Sequence, residues 1–359
     1  MNTYGVIMAG GGGTRFWPLS RKETPKQLLN LTGNDLMINE AVDRLATVAD
    51  KDNIFIVTIV SQVPPMLKAT KDRVKADHVL SEPSARNTAA CIGYAAMEIV
   101  RKYGDGVMII TPADHYIKDE AGFTNILKAA VKTAEETGKL ITIGINPTFA
   151  SSGFGYIRYN KNESGDAKTV IEFKEKPDEE TAKEYVASGE YAWNSGMFAW
   201  KAGVILDKFK EYIPDIYADL EKIGDAMNTD KEKEIIEEVY PNIRKISVDY
   251  AVMEKAAALG DVLVVPGEMG WNDVGSFDMM EVLRDKDADG NITEGDVVAV
   301  DTKDSIILSK GGKTITAVDV EGLVIVETDD AIMVCPKDKA QSVKKIVEAL
   351  QAKGRNELL

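Results

Sequence analysis

Histidine and cysteine are almost missing: the chain has two of each in 359 residues. Cys91 and Cys335 are too few for a disulfide framework or a cysteine-rich zinc site, and both read as packing residues. His78 and His115 lie far apart, which argues against a histidine-built metal centre or a Ser-His-Asp triad. No apolar run approaches the roughly 18 residues that a membrane-spanning helix requires. The N-terminus has no basic stretch leading into an apolar one, so no secretory leader is read, and a cytoplasmic location is expected. The formal net charge of -15 opposes nucleic acids and anionic membranes as partners. An anionic ligand must instead be held by a local cluster of cations and backbone donors.

The length exceeds what one core usually fills, so a large unit plus a smaller one is expected. In the first half, "YGVIMA" (4–9), "NIFIVTIV" (53–60), "GVMIIT" (106–111) and "LITIGI" (140–145) are short apolar runs suited to strands covered on both faces. Helical patterns separate them. In the clearest, over 88–101, Ile92, Ala95, Ala96 and Ile99 recur at helical spacing behind Asn87 as cap. This alternation predicts an α/β, doubly wound and mostly parallel sheet, which binds ligands at the carboxyl ends of its strands. Further strands are read at 154–159, 170–177 and 194–200. After the polar stretch 284–296 the pattern turns to short β runs, "VVAVD", "SIILS", "TITAV", "LVIVET" and "AIMVC", and a last amphipathic helix carrying Val343, Ile346, Val347 and Leu350. The expected division is 1–289 and 290–359.

The segment "AGGGGTRFWPLSRKETPKQ" (9–27) carries the strongest signal. It fits neither common glycine motif. For G-x-G-x-x-G, the sixth position is Arg15 counting from Gly10 and Phe16 counting from Gly11; for a P-loop, no Lys-Ser or Lys-Thr follows. What remains is a strand-to-loop turn whose bare backbone N–H groups can approach phosphate oxygens. Arg15 and Lys26 would add a planar fork of donors and a compact charge.

"MAGGGGTRFWPLSR" followed by "PKQLL" resembles the signature of sugar-nucleotide pyrophosphorylases, specifically mannose-1-phosphate guanylyltransferases. The resemblance continues, in the family's order, through "SEPSARNTAA" (81–90), "TPADH" (111–115), "FGYIR" (154–158), "FKEKP" (173–177), "NSGMF" (194–198), "SVDYAVMEK" (247–255) and "WNDVGS" (271–276). It implies a Rossmann-like mixed sheet of the nucleotide-diphospho-sugar transferase type with a small β-helix-like C-terminal domain. The implied reaction converts GTP and mannose 1-phosphate to GDP-mannose and pyrophosphate. A sugar phosphate is already largely ionised at neutral pH, so no general base is needed; the protein must align two anions and neutralise charge at the α-phosphorus and the leaving group.

By this resemblance, Arg15, Lys26, Asp114 and Asp273 are the catalytic set, with Asp114 and Asp273 holding Mg²⁺ as hard oxygen ligands. Ala9, Gly10, Gly11, Gly12, Gly13, Thr14, Pro112 and Ala113 would line the nucleotide. Glu82 would read guanine, whose N1–H and N2–H₂ donors one carboxylate can accept together, with Arg86, Asn87 and Thr88 beside it. Gly155, Glu175, Lys176 and Asn194 would bind the sugar phosphate. Read alone, several of these residues also suit blander roles: turn caps for the two aspartates, a helix cap for Asn87, a surface carboxylate for Glu82, a solvated ladder for Glu175 and Lys176, a turn for "WNSGMF". His115 reads as a hydrogen-bonded structural residue.

The run "DKDADGNITEGD" (285–296) has EF-hand-like spacing, but Asp296 stands where the bidentate Glu belongs and β runs follow, so a turn between the two units is expected. The family's C-terminal β region is used in self-association, which implies a homodimer. Some relatives carry a further isomerase domain that this sequence does not contain, so a single activity is expected. Two alternatives stay open: another hexose 1-phosphate or nucleoside triphosphate, and a catalytically idle nucleotide-sensing subunit.

Overall fold

The apolar runs of the first half form the centre of a nine-stranded sheet, seen in a computed structural model that describes residues 1–359. Its strands lie among β1 (Asn2–Met8), β2 (Ile54–Ile59), β3 (Val79–Glu82), β4 (Gly106–Pro112), β5 (Tyr116–Ile117), β6 (Leu140–Ile145), β7 (Gly155–Tyr159), β8 (Lys168–Lys174), β9 (Tyr191–Lys201), β10 (Val262–Pro266) and β11 (Trp271–Asn272). The order is β3-β2-β1-β4-β9-β6-β10-β8-β7, while β5 and β11 form a separate two-stranded ribbon.

The expected parallel arrangement holds for β3, β2, β1 and β4, and for β6 with β10. It fails at β9, which enters between β4 and β6 antiparallel to both, and at β7 and β8. The sheet is therefore mixed, as the family resemblance implied. Periodicity could not reveal this, because β9 is buried along nearly its whole length and reads like any two-face-covered strand. The run "WNSGMF" is not a turn: it lies inside β9, where Gly196 takes φ 71° and the pairing with β6 slips between Thr142 and Gly144. A bulge of this kind re-aims the neighbouring side chains.

Register brings the carboxyl ends of the parallel strands to one rim. Met8 pairs with Pro112, and Ile59 with Glu82. The glycine loop, Glu82 and the "TPADH" turn thus leave the sheet side by side, the arrangement in which open α/β sheets bind ligands.

Residues after 290 form β12 (Ile292–Glu294), β13 (Val297–Val300), β14 (Ile306–Ser309), β15 (Ile315–Val318), β16 (Leu323–Glu327) and β17 (Ile332–Pro336). β12, β14 and β16 stack in parallel register through Ile292, Ile306 and Val324, with β13 beside β15 on another face, the pattern of a short solenoid. The acidic run before it is a turn: the Asp287 carboxylate accepts from the Asp289 N–H at 3.0 Å and from the Asn291 N–H at 2.8 Å. The final α-helix is Lys344–Ala352; Val343, buried, ends the 3-10 turn before it, and Ile346 stays 42% exposed and outside the core.

Two apolar clusters cover the faces of the large sheet, and a third crosses the chain. It joins Phe16, Trp17, Leu31 and Met37 to Val274 and Phe277, and both to Ile292, Ile306, Leu308, Val324 and Val326. The Phe16 and Phe277 ring centroids are 5.0 Å apart, and the Trp17 indole donates to the Leu358 carbonyl at 2.8 Å. The β-rich module is therefore packed into the root of the glycine loop. Phe277→Ala should cost about 3–5 kcal/mol, and denaturation followed by circular dichroism and by proteolysis of residues 290–359 should show one shared, lowered midpoint. A module digested well before the sheet melts would contradict this coupling.

Candidate active site

The glycine loop is held from below and bare above. The Gln27 amide donates to the Ala9 carbonyl at 2.6 Å, the Thr58 hydroxyl donates to the same carbonyl at 3.0 Å, and the Ser20 hydroxyl donates to the Gly13 carbonyl at 2.7 Å. Gly13 sits at φ 63°, and a Cβ there would overlap Lys26, so this position demands glycine. Gly11 and Gly12 are different. No protein atom lies within 4 Å of where their Cβ would stand, and both are exposed. Internal packing does not require glycine at these two positions, and their bare backbone is open to approach from outside.

Lys26 ties the two aspartate loops together. Its ammonium, 4% exposed, donates to the Asp114 carbonyl at 3.0 Å, to Asp114 Oδ2 at 2.8 Å and to the Asp273 carbonyl at 2.8 Å. All three of its hydrogens are thereby used. The β5–β11 ribbon reinforces this, pairing Tyr116, two residues after Asp114, with Asn272, the residue before Asp273. Burial opposes the charge on Asp114, but Lys26 outweighs it and holds the carboxyl below its ordinary 3.8. Burial pushes the Asp273 carboxyl up, the charge of Asp114 adds to this, and Lys26 opposes it. Val274, next in line, is a fully buried β-branched residue at φ 48°, a strained conformation fixed by the third core.

His115 is structural in this arrangement. The Trp271 indole N–H donates to His115 Nδ1 at 3.0 Å, which requires the neutral imidazole, and burial lowers its pKa to about 4.

Two adjoining cavities open on the rim and share Met8, Thr88 and Pro112. The first, of about 380 Å³, is lined by Gly10, Gly11, Glu82, Arg86, Asn87, Thr88 and Lys245. It faces the start of the helix Asn87–Lys102, where no acidic residue offsets the positive end of the helix dipole. Asn87 is not the expected cap: it is the first helical residue, at φ 67°, its amide oxygen accepts only from the adjacent Thr88 N–H at 2.8 Å, and Arg86 at the cap position makes no side-chain capping bond. Glu82 is not a surface carboxylate: it is 3% exposed and accepts a hydrogen bond from the Tyr240 hydroxyl.

The second cavity, about 240 Å³, is lined by Phe154, Gly155, Glu175, Lys176, Asn194, Asp249, Trp271 and Asp273. Glu175 and Lys176 lie just beyond β8 rather than in a solvated ladder; Glu175 is buried, paired with the Lys176 ammonium, and Lys176 takes φ 46°. A Cβ on Gly155 would strike Glu175. The Asn194 amide accepts from the Thr142 hydroxyl at 3.0 Å and donates to Asp249 Oδ1 at 2.9 Å.

Of the sequence-read positions, Ala9 and Ala113 are buried in the loop's footing, and Gly12 and Thr14 face a separate small cavity against Trp17, Arg21 and Val347. Arg15 is exposed and makes no ion pair, though its charge still lowers the Asp273 carboxyl's pKa. Asp249, Lys245, Phe154 and Trp271 line the cavities and had no role assigned from sequence. Only Asp249 had a visible signal, a carboxylate in the apolar run "VDYAVM"; it opens a single π-helical turn, a feature common at functional sites.

The two carboxylates, Asp114 and Asp273, meet the donor needs of a hard divalent cation that completes its shell with water and phosphate. Their mutual repulsion gives such an ion a reason to sit there.

Comparison with known proteins agrees with this geometry. The profile of the nucleotidyl transferase family matches residues 4–289, and that of the MannoseP isomerase/GMP-like beta-helix domain matches residues 295–350. A mannose-1-phosphate guanylyltransferase of Escherichia coli is 40% identical over 99% of this chain and 74% of its own length. The xanthan biosynthesis protein XanB of Xanthomonas campestris is 39% identical over 98% of this chain and 74% of its own. A Thermus thermophilus structure described as a mannose-1-phosphate geranyltransferase superposes with TM-score 0.86 at 31% identity, over 98% of this chain and all of that one. The fold and rim define a nucleotidyl transferase. Within that class, the chain belongs to the mannose-1-phosphate guanylyltransferase family.

Asp249 generates a prediction of its own. Burial, and then the neighbouring Glu175 charge, raise its pKa from 3.8 to about 6. The folded carboxyl thus keeps its proton to higher pH than the unfolded one, so stability falls as pH rises through that window. Asp249→Asn should relieve this and raise stability at neutral pH by up to about 3 kcal/mol, while raising KM for the sugar phosphate. Thermal melts at pH 5 and pH 7.5 with parallel kinetics would check it; equal destabilisation at both would refute it.

Proposed function

We propose that this protein transfers GMP from GTP to mannose 1-phosphate, giving GDP-mannose and pyrophosphate. The observation that carries this is the pair of adjoining cavities on one rim, one floored by bare glycine backbone and Glu82, the other ringed by hydroxyl-binding groups and Asp273, which Lys26 ties to Asp114. The near absence of histidine is no obstacle, because the attacking phosphate needs no deprotonation.

In this reading the N–H groups of residues 10–13 and the start of the helix Asn87–Lys102 receive the triphosphate. Glu82 accepts the two donors of guanine. Glu175, Asn194 and Asp249 fix the sugar hydroxyls, and Lys176 meets the sugar phosphate, so that its oxygen and the α-phosphorus are held in line. Arg15, exposed and unpaired, would meet the departing pyrophosphate. Lys26 keeps the aspartate loops in register and lends charge to the same region. Asp114 and Asp273 would hold Mg²⁺, which when bound supplies neutralisation of phosphate charge.

We further assign residues 1–289 to the catalytic unit and 290–359 to the β-rich module, and infer a homodimer working in the cytoplasm with neither nucleic acid nor membrane as partner. No helix is long and apolar enough to cross a membrane.

Pyrophosphate release should be largest for GTP with mannose 1-phosphate when GTP, ATP, UTP and dTTP are each tried against mannose and glucose 1-phosphates. Preference for another pair would refute the substrate assignment, and no release from any pair would favour the idle subunit. Asp273→Asn, nearly isosteric, should reduce kcat at least about 100-fold without lowering the melting temperature, since it removes a carboxylate whose charge burial disfavours. Wild-type turnover across a Mg²⁺ titration would remove Asp273 from the site.

A further inference from the structure

Glu82 is an unusual group to find beneath a polyanion. It is 3% exposed, forms no ion pair, and has one hydrogen-bond partner in the protein, the Tyr240 hydroxyl on Oε1. Oε2 lies 3.2 Å from where a Cβ on Gly10 would stand, toward the glycine loop and the nucleotide cavity. A buried carboxylate so sparsely partnered is costly, and its open lone pairs await donors from a ligand. Tyr240 is fully buried, more than 150 residues away in sequence, and its ring is fixed edge-on against Tyr94 at 5.7 Å. It does not line the nucleotide cavity.

We propose that Tyr240 is a positioning residue that sets the base selectivity of the nucleotide cavity, its hydroxyl holding Glu82 in place as an acceptor. The inference rests on Glu82 being the guanine acceptor in the function proposed above. Guanine presents N1–H and N2–H₂ and needs an ionised carboxylate. Adenine presents an N1 acceptor and an N6–H₂ donor, which match a protonated carboxyl, so the charge state of Glu82 decides which purine fits.

The surroundings place this choice near neutrality. Burial raises the Glu82 pKa to about 7, and the Tyr240 hydrogen bond opposes that rise. The other groups around it are Cys91 and Tyr94 on the helix Asn87–Lys102, both with pKa values raised by burial, and the cations Arg86 and Lys245 lining the cavity. Tyr240 itself remains a donor throughout, since burial lifts its pKa well above 10.0.

The test measures kcat/KM for GTP and ATP from about pH 6 to 9 in the full-length wild type, Tyr240→Phe and Glu82→Gln, the last subtracting the titration of the substrates' own phosphates. Tyr240→Phe should shift the rising GTP limb upward by about one unit and lower the GTP-to-ATP preference at pH 7 by about tenfold, with recovery toward the wild-type preference at high pH. Glu82→Gln should abolish the limb. If Glu82→Gln changes the preference while Tyr240→Phe keeps the wild-type limb and ratio, Tyr240 only fills space and the inference falls. If Glu82→Gln changes neither, the base-reading assignment itself falls. Should Tyr240→Phe not fold, incorporation of 3-fluorotyrosine, a stronger phenol donor, must shift the limb downward, and an unmoved limb overturns the proposal.

Discussion

The site depends on one ammonium group. Lys26 occupies the point where the glycine loop, the "TPADH" turn and the "WNDVGS" turn meet, and all three of its hydrogens go to the two aspartate segments. Without that charge, two half-buried carboxylates that repel each other would stand together, one of them with a raised pKa. With it, loops from opposite ends of a long chain are held within reach of the same ligand atoms before any ligand arrives. Gly13 belongs to the same arrangement, because only a residue without Cβ lets Lys26 pass beneath the loop.

Much of this was legible in the sequence, for identifiable reasons. Glycine clusters, strand-end aspartates and covered strands are local signals, and the sheet gathers them because parallel strands in register put their carboxyl ends on one rim. The reversal of β9 was not legible, since burial on both faces removes the alternation that would mark it. Neither were Lys245 and Tyr240, and Asp249 showed only as a carboxylate in an apolar run. Each comes from the irregular stretch 240–250, and each matters only through contacts made across the fold, with Asn194, with the nucleotide cavity and with Glu82. Lys26 was read as a free cation for phosphate; its commitment to three oxygens is a tertiary fact that spacing does not carry.

The charge balance of the molecule follows a similar logic. In the proposed reading a strongly acidic chain would bind anions by separating functions: exposed Arg15 and Lys245 would attract from outside, and backbone N–H groups and a helix start would receive without adding charge, while Lys26 offsets the carboxylates from within. Its acidic groups are not uniform either. Asp114 is held ionised, whereas Asp249 and Glu82 sit with pKa values near neutrality, each next to a hydrogen-bond donor from a distant segment. The site stores electrostatic cost at those two positions and offers ligand donors as its relief.

The third apolar cluster ties the ends of the chain to each other. Phe16 leans on Phe277, and strained Val274, the neighbour of Asp273, is gripped by side chains from the solenoid strands. The solenoid is therefore part of the mould in which an aspartate loop is cast, not an appendage. Over evolutionary time, the first forty residues and the last seventy could not drift independently. A solenoid transplanted from a relative would have to bring matching partners for Phe16, Trp17 and Val274, or the cleft would lose its shape while every residue facing the ligand remained unchanged.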